Sequence, residues 1–590
     1  MNIRHLVKKN VETVKKAVGI LNQLLFNVAK IVDIFCQLTL TLMTTVSEYL
    51  FHRLESLGVQ HIFGVPGDYV LDLMDVLNKT AINLICNCNE LNAGYAADAY
   101  ARVRGLGAVC ITYGVGGFSL VNAVVGAYAE RVPLVVISGA PNSSVRKSNL
   151  LLHHTTGDYN LQLAIMEKIT VAAVNLTKAS QAASQIDQTL AACLHYKRPV
   201  YIEIPLDLVH QSCTLPETQL PSPFKLTNPE TLPEALEEAV EEAFELLEKA
   251  QRPVILAGVE FNRFRLENKL LQLLETTGYP LATTMLGKSC ISEMHPQFIG
   301  NYVGALSRDD VCQRIETADC ILCLGAIMSD MNLGGYTANL DERKLINANS
   351  EKVKIKHHFY QPVYLGDFID GLIAKLGKKD AETLQITPAS DVLYKSFIPQ
   401  PENKLTNRRF YERMNHFLED GFIVIADTGD AIISTMDLLM PQETDFIGQA
   451  FYLSIGYSIP ACLGAAMADS HRRLMIFVGD GAFQMTAQEL STMIKYKLNP
   501  IIFLINNDGY TIERVIQDGP YNDIQPWKYH QIPQIFGESW SCEVATEGEL
   551  EAALFQAKAN IHCVSFIEIH LDRFDCSQGL TRLGKALNEK

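Results

Sequence analysis

From residue 46 onward the chain alternates two hydrophobic patterns. Short continuous apolar runs predict buried strands, and stretches with apolar residues three or four positions apart predict helices. The first region reads as a helix over 47–57, strands over 61–65 and 83–87, a helix of small residues over 91–102, and strands over 108–113 and 133–138. Each strand runs into Gly, Pro, Asp or Asn, the pattern of a parallel βα repeat. Pro216, Pro221, Pro223, Pro229 and Pro233 mark a linker, after which a helix over 236–249 and apolar runs at 252–258, 279–284 and 320–325 predict a second such unit. Pro388, Pro399 and Pro401 mark another linker. Beyond it lie a helix over 411–418 and strands over 423–426, 474–477 and 501–505, with a helix over 486–497 between the last two. The pattern predicts an α/β protein of three doubly wound parallel-sheet domains, at 43–220, 230–380 and 405–590, in keeping with a length of 590 residues.

Residues 1–42 differ. Lys8, Lys9, Lys15 and Lys16 precede apolar positions at helical spacing, which predicts an amphipathic extension. The run 31–43 is broken by Asp33 and Gln37, too short and polar to span a bilayer, and no small-residue cleavage site follows. The extension reads as an accessory helix or an early start, with a membrane anchor the less favoured reading. A net charge of −16 with no basic stripe argues against nucleic acid as a partner. The 14 cysteines form no regular framework, and Cys320 and Cys323 lie in an apolar strand, so they read as buried thiols rather than zinc ligands. Reduced cysteines point to the cytoplasm.

Candidate chemistry concentrates at 478–513. Val478-Gly479-Asp480-Gly481-Ala482-Phe483 follows one apolar strand, and Asn506-Asn507-Asp508-Gly509-Tyr510-Thr511-Ile512-Glu513 follows the next. A crossover would bring Asp480 and Asn507 side by side at adjacent strand ends, where open α/β sheets hold ligands. The carboxylate of Asp480, the amide oxygen of Asn507 and the carbonyl of Gly509 are hard oxygen donors suited to Mg²⁺ shared with a diphosphate. The first domain offers Asp68, Glu90 and the pair His153-His154. Taken singly, Asp68 reads as a cap for a helix beginning near Val70, Glu90 as an acid answering a helix dipole, and the histidines as solvent-facing.

Together these segments resemble the thiamin-diphosphate (ThDP) dependent 2-oxo acid decarboxylases. The resemblance runs from about residue 43 to the C-terminus. It rests on Gly479-Asp480-Gly481 with Asn506-Asn507, on Val65-Pro66-Gly67-Asp68-Tyr69, on Asn89-Glu90-Leu91-Asn92-Ala93, and on Leu152-His153-His154-Thr155. The His-His pair and Glu513 resemble the pyruvate, indolepyruvate and phenylpyruvate branch rather than acetolactate-synthase-like relatives. The resemblance implies a pyrimidine-binding first domain, a structural or regulatory central domain and a diphosphate-binding last domain.

The resemblance also implies site roles. Glu90 would bond the cofactor's aminopyrimidine ring. Thr428, Gly429 and Asp430, with Ser454 and Ile455, would approach the cofactor, Ile455 as the wedge that bends it. Gly479, Asp480, Gly481, Ala482, Asn507, Tyr510, Thr511 and Ile512 would hold its diphosphate end, with Mg²⁺ on Asp480, Asn507 and Gly509. Asp68, His153, His154 and Glu513 would handle the substrate carboxylate and the protons. The family often has glycine at the position of Leu453, where only a backbone carbonyl is needed. The implied reaction converts a 2-oxo acid to an aldehyde and CO₂ through a ThDP ylid and an enamine. The implied assembly is a homodimer or homotetramer in which Glu90 and Asp480 of one site come from two subunits. An acetolactate-synthase-like carboligase and a non-catalytic ThDP-binding regulatory protein are the alternatives. Ile512 and Ile516 resemble pyruvate enzymes, whereas Leu150-Leu151-Leu152 and Tyr113-Gly114-Val115-Gly116-Gly117-Phe118 resemble enzymes of aromatic 2-oxo acids.

Overall fold

In a computed structural model the described residues are 44–148, 150–214, 230–377 and 384–588. The amphipathic extension and most of the first linker lie outside them. Three sheets organise the chain. The first contains β1 (His61–Gly64), β2 (Asn83–Cys86), β3 (Gly107–Ile111), β4 (Leu134–Ala140), β5 (Ala172–Asn175) and β6 (Val200–Pro205), in the order β2-β1-β3-β4-β6-β5. The second contains β7 (Pro253–Ala257), β8 (Leu281–Thr283), β9 (Phe298–Asn301), β10 (Cys320–Leu324), β11 (Leu345–Ala348), β12 (Val353–Ile355) and β13 (His358–Tyr360). The third contains β14 (Ile423–Ala426), β15 (Asp445–Ile447), β16 (Leu474–Gly479), β17 (Ile501–Asn506), β18 (Ser539–Val544) and β19 (Val564–His570), in the order β15-β14-β16-β17-β19-β18.

The first and third sheets are parallel throughout and share one strand order, so the end domains repeat a single topology. The central sheet departs from a purely parallel one, because β12 and β13 add an antiparallel edge beside β11. β6 was hard to read from sequence because Glu203 interrupts its apolar run. Glu203 is fully buried there, paired with Arg146 and accepting a hydrogen bond from the Tyr201 hydroxyl at 2.6 Å.

One apolar core spans the first and last domains. The helix Glu90–Arg104 packs along the helix Ser458–Ala468, and both occupy the same place in the shared topology. Contact is close enough that a Cβ at Gly464 would stand 1.8 Å from the Ala96 carbonyl oxygen. Small side chains at Ala93, Ala96, Ala97, Ala461 and Ala465 permit this approach. Cys320 and Cys323 are buried in β10, and burial pushes both thiols up to about 12, as expected of inert core residues. No disulfide joins cysteines among the described residues, and no helix there is long and apolar enough to cross a membrane.

Candidate active site

Strand β16 runs directly into a helix, Asp480–Thr486. The expected single helix over 486–497 is instead this helix, a tight turn and a second helix, Leu490–Lys495. The break falls at Thr486, whose hydroxyl donates to the Gly456 carbonyl at 2.7 Å and whose φ is −139°. The Asp480 carboxylate is buried and accepts from the backbone N–H of Gly481 at 2.7 Å and of Gly509 at 3.0 Å. The adjacent ends of β16 and β17 therefore bring Asp480 and the 507–509 loop together. Burial pushes the Asp480 carboxyl up to about 6, so a cation beside it would offset a real desolvation cost.

Arg514, not singled out in the sequence, fixes the loop. Its guanidinium is buried and donates to the carbonyls of Asn507 (3.2 Å) and Asp508 (2.5 Å) and to Asp523 (2.8 Å). Asp508 and Gly509 adopt φ of 60° and 127°, which turns the chain back over Asp480. The ring of Tyr510 lies over Gly481, and the Thr511 hydroxyl donates to the Arg573 carbonyl at 3.2 Å. A Cβ at Gly479 would meet nothing within 4 Å, which leaves open space beside the helix start. Ala482 and Asn507 are buried, and Glu513 is exposed.

A second strand end supplies the remaining groups of this domain. Asp427, fully buried after β14, accepts from the N–H of Thr428 (2.9 Å), Gly456 (2.9 Å) and Ser458 (2.8 Å). It pins the Leu453-to-Ser458 loop to the sheet, so that Ile455 packs against the core common to the end domains. Leu453 takes φ of 60°, the left-handed conformation that explains why glycine suits this position. Thr428 Oγ1 is buried with no hydrogen-bond partner. Ile512 reaches to within 4.0 Å of where a Gly429 Cβ would be. The Asp430 carboxylate is turned the other way, accepting from Ser577 N at 2.9 Å and Asn407 Nδ2 at 3.2 Å.

In the first domain Glu90 is the first residue of its helix, and the Asn89 side chain caps that helix by accepting from Asn92 N at 2.8 Å. Glu90 Oε1 lies 3.3 Å from where a Gly116 Cβ would stand, and Thr112 fills the space between Gly116 and Gly67. Glu90 thus shares one end of the sheet with the turn that carries Asp68. Asp68 does not cap the following helix, Leu71–Leu77, which has no side-chain cap. Its carboxylate is instead hydrogen-bonded to His153 Nε2 and lies 3.8 Å from His154 Nδ1. Tyr69 stacks on His153 at 5.0 Å. Gly114, at φ of 71°, lets the histidine loop close in, because a Cβ there would stand 1.9 Å from the His154 carbonyl oxygen. His154 Nδ1, Tyr69 Oη and Thr112 Oγ1 are buried without hydrogen-bond partners. Such groups are costly unless a ligand or water satisfies them.

The two domains meet beside these groups. Glu489, wholly buried, accepts from Asn87 Nδ2 (2.9 Å), Cys88 N (3.1 Å) and Asn92 Nδ2 (2.8 Å). Asn122 Nδ2 donates to both Tyr95 Oη and Ser454 Oγ at 2.8 Å, and those two hydroxyls also bond each other. The start of the Glu90 helix therefore already lies on the last domain of its own chain, a contact that the assignment of Glu90 and Asp480 to different subunits does not call for.

Three family models match in order. They are the thiamine pyrophosphate enzyme N-terminal binding domain over 44–164, the central domain over 240–369 and the C-terminal binding domain over 427–569. A pyruvate decarboxylase of Aspergillus fumigatus is 36% identical over 553 residues, covering 92% of this chain and 96% of its own. An alpha-keto-acid decarboxylase of Mycobacterium leprae is 36% identical, with 91% and 95% covered, and pyruvate decarboxylase 1 of Oryza sativa is 36% identical, with 92% and 91% covered. The cofactor of these models is ThDP under its other name, with Mg²⁺ its usual metal partner, and the oxygen-donor set, the open space at Gly479 and the unpartnered Thr428 hydroxyl fit that pair. With matching domains in the same order and relatives aligned along nearly their whole length, this chain belongs to the thiamine pyrophosphate enzymes, in the family of the pyruvate and alpha-keto-acid decarboxylases.

Proposed function

We propose that the chain decarboxylates a 2-oxo acid to an aldehyde and CO₂. The observation that carries this reading is the Asp68–His153–His154 cluster at the same sheet end as Glu90, in a chain that also carries the Asp480 carboxylate and the 507–509 loop. ThDP, when bound, supplies the electron sink that the departing carboxylate requires. Asp480, Asn507 and the Gly509 carbonyl would hold Mg²⁺, and Thr428 would donate to the bound group. Ile455 would support the cofactor from below, and Glu90 would accept from or donate to its pyrimidine ring. Asp68 keeps His153 oriented, and the hydrogen-bonded pair can hand a proton to substrate or take one back. Glu513, exposed at the start of its own helix, is assigned to the substrate side.

A homodimer, or a homotetramer built from it, is part of the proposal, with Glu90 and Asp480 of each site drawn from two subunits. Leu71, Leu150 and Leu151, near Asp68 and the histidines in sequence, and Val115 and Phe118, which follow the Gly114 turn packed on His154, are exposed large apolar residues of the first domain. Met485, Ile516, Tyr521 and Trp527 are exposed in the last domain around the metal loop. A second copy would cover such faces. Cytoplasmic location is also part of the proposal, supported by the free cysteines among the described residues, which suit a reducing compartment.

A coupled aldehyde assay tests the reading, run with pyruvate, a branched-chain 2-oxo acid, phenylpyruvate and indolepyruvate, with and without ThDP and Mg²⁺. Turnover of pyruvate is expected, because relatives aligned along nearly the whole chain are named pyruvate decarboxylases. Glu90→Gln should lower turnover by about 10²–10⁴-fold. No CO₂ from any of the four acids would overturn the assignment.

A further inference from the structure

On the outer strands of the last sheet four side chains converge that the site above does not use. Glu543 on β18 and Glu568 on β19 are register partners, and His570, two residues on from Glu568, shares its face of the strand. His530 joins them from the turn Tyr529–Gln531. His530 Nδ1 lies 2.8 Å from Glu568 Oε2 and 3.5 Å from Glu543 Oε2. His570 Nε2 lies 3.2 Å from Glu543 Oε2 and 3.6 Å from Glu568 Oε1.

His530 Nδ1 and one oxygen each of Glu543 and Glu568 lie within 4.8 Å of one another, so small side-chain rotations place them around an ion about 2.0–2.1 Å away, and His570, beside the other Glu568 oxygen, is positioned to join as the fourth ligand. We infer that His530, Glu543, Glu568 and His570 form a second metal site, one that takes a borderline divalent transition metal, Zn²⁺ foremost. Two imidazoles with two carboxylates suit Zn²⁺ or Co²⁺, whereas the all-oxygen set at Asp480 suits Mg²⁺. The surroundings are those of a supported site. Glu568 is 3% exposed, and its oxygens accept from Asn506 Nδ2 at 2.7 Å and from His530 N at 2.9 Å, which fixes the carboxylate before any ion arrives. Glu543 and His570 are partly exposed and leave a path for entry.

The ion would clip β18 and β19 to the 529–531 turn. Tyr529 of that turn is buried, stands edge-on to Phe483 at 6.1 Å and accepts a hydrogen bond from Gln484 at 2.9 Å. Phe483 and Gln484 belong to the helix that begins at Asp480, so the clip stiffens the support of that helix.

The full-length protein, stripped with a chelator and returned to ThDP and excess Mg²⁺, is titrated with Co²⁺ and read by visible absorption. One tightly held Co²⁺ per chain is expected, with d–d bands of a four-coordinate site and displacement by Zn²⁺. His570→Gln and Glu543→Gln should each weaken it by more than about tenfold. Asp480→Ala should leave it in place. Failure to retain Co²⁺ against excess Mg²⁺ would overturn the inference. So would loss of the bands in Asp480→Ala with no change in His570→Gln and Glu543→Gln.

Discussion

Glu489 offers the sharpest mutational test of how the two end domains are joined. Its carboxylate is fully buried and takes three donors from the segment that leads into Glu90, namely Asn87 Nδ2, Cys88 N and Asn92 Nδ2, at 2.8–3.1 Å. Truncation to alanine leaves all three facing a cavity, and each unsatisfied buried donor costs about 1–3 kcal/mol. A water in the vacated space can accept from two of them, exchanging charge-assisted bonds for neutral ones at about 1 kcal/mol each. The third donor, left unsatisfied, adds about 2 kcal/mol, so a loss of about 4 kcal/mol is expected for Glu489→Ala. Glu489→Gln behaves differently. Asn87 Oδ1 and Asn92 Oδ1 are both buried without a donor, so a reversed Asn87 amide can accept from the new NH₂ group. That variant should lose only about 1–2 kcal/mol. Urea denaturation followed by tryptophan fluorescence, at fixed protein, ThDP and Mg²⁺ concentrations, measures both. An alanine variant within about 1 kcal/mol of the parent would refute the reasoning. So would a glutamine variant as unstable as the alanine one.

Gly464→Ala should destabilise the junction of the end domains by about 3 kcal/mol, because its Cβ would meet the Ala96 carbonyl oxygen at 1.8 Å; a thermal midpoint equal to the parent's would contradict this. Burial pushes the Asp430 carboxyl up to about 6, above its unfolded value of about 3.9, so its contribution to stability is full below pH 4 and fades as pH rises through 6. The parent should therefore lose up to about 3 kcal/mol relative to Asp430→Asn between pH 4 and 7, whereas a pH-independent difference in denaturation would count against it. Mixing Glu90→Gln and Asp480→Ala proteins after subunit exchange should restore about a quarter of the parent's activity if each site draws on two subunits, since half of randomly paired dimers then hold one intact site. No recovery would place Glu90 and Asp480 of a site in one chain.

Much of this architecture was legible because strands and helices here carry undiluted patterns. β16 and β17 are continuous apolar runs that end at Asp480 and Asn507, so both the crossover and the convergence of those residues could be read directly. What escaped the pattern was polar and buried. Glu203 in β6 and Glu568 in β19 look like solvent positions until Arg146, Tyr201 and His530 are seen beside them. Arg514, Asp427 and Glu489 escaped for a related reason, since each is a buried charge held largely by backbone or amide groups, near in the chain for Arg514 and in distant segments for Glu489. The helix after Asp480 was misplaced because nothing in its composition shows that Thr486 bonds to Gly456. The shared strand order of the end domains was invisible because their sequences differ while their connections agree.

The most direct test of the whole account is a product balance on the full-length protein loaded with ThDP and Mg²⁺ and supplied with pyruvate. The account predicts acetaldehyde and CO₂ in equal amounts, and both should vanish when ThDP is removed or Asp480 is replaced by alanine. Acetolactate as the main product would contradict it, and so would pyruvate, a branched-chain 2-oxo acid, phenylpyruvate and indolepyruvate all recovered unchanged.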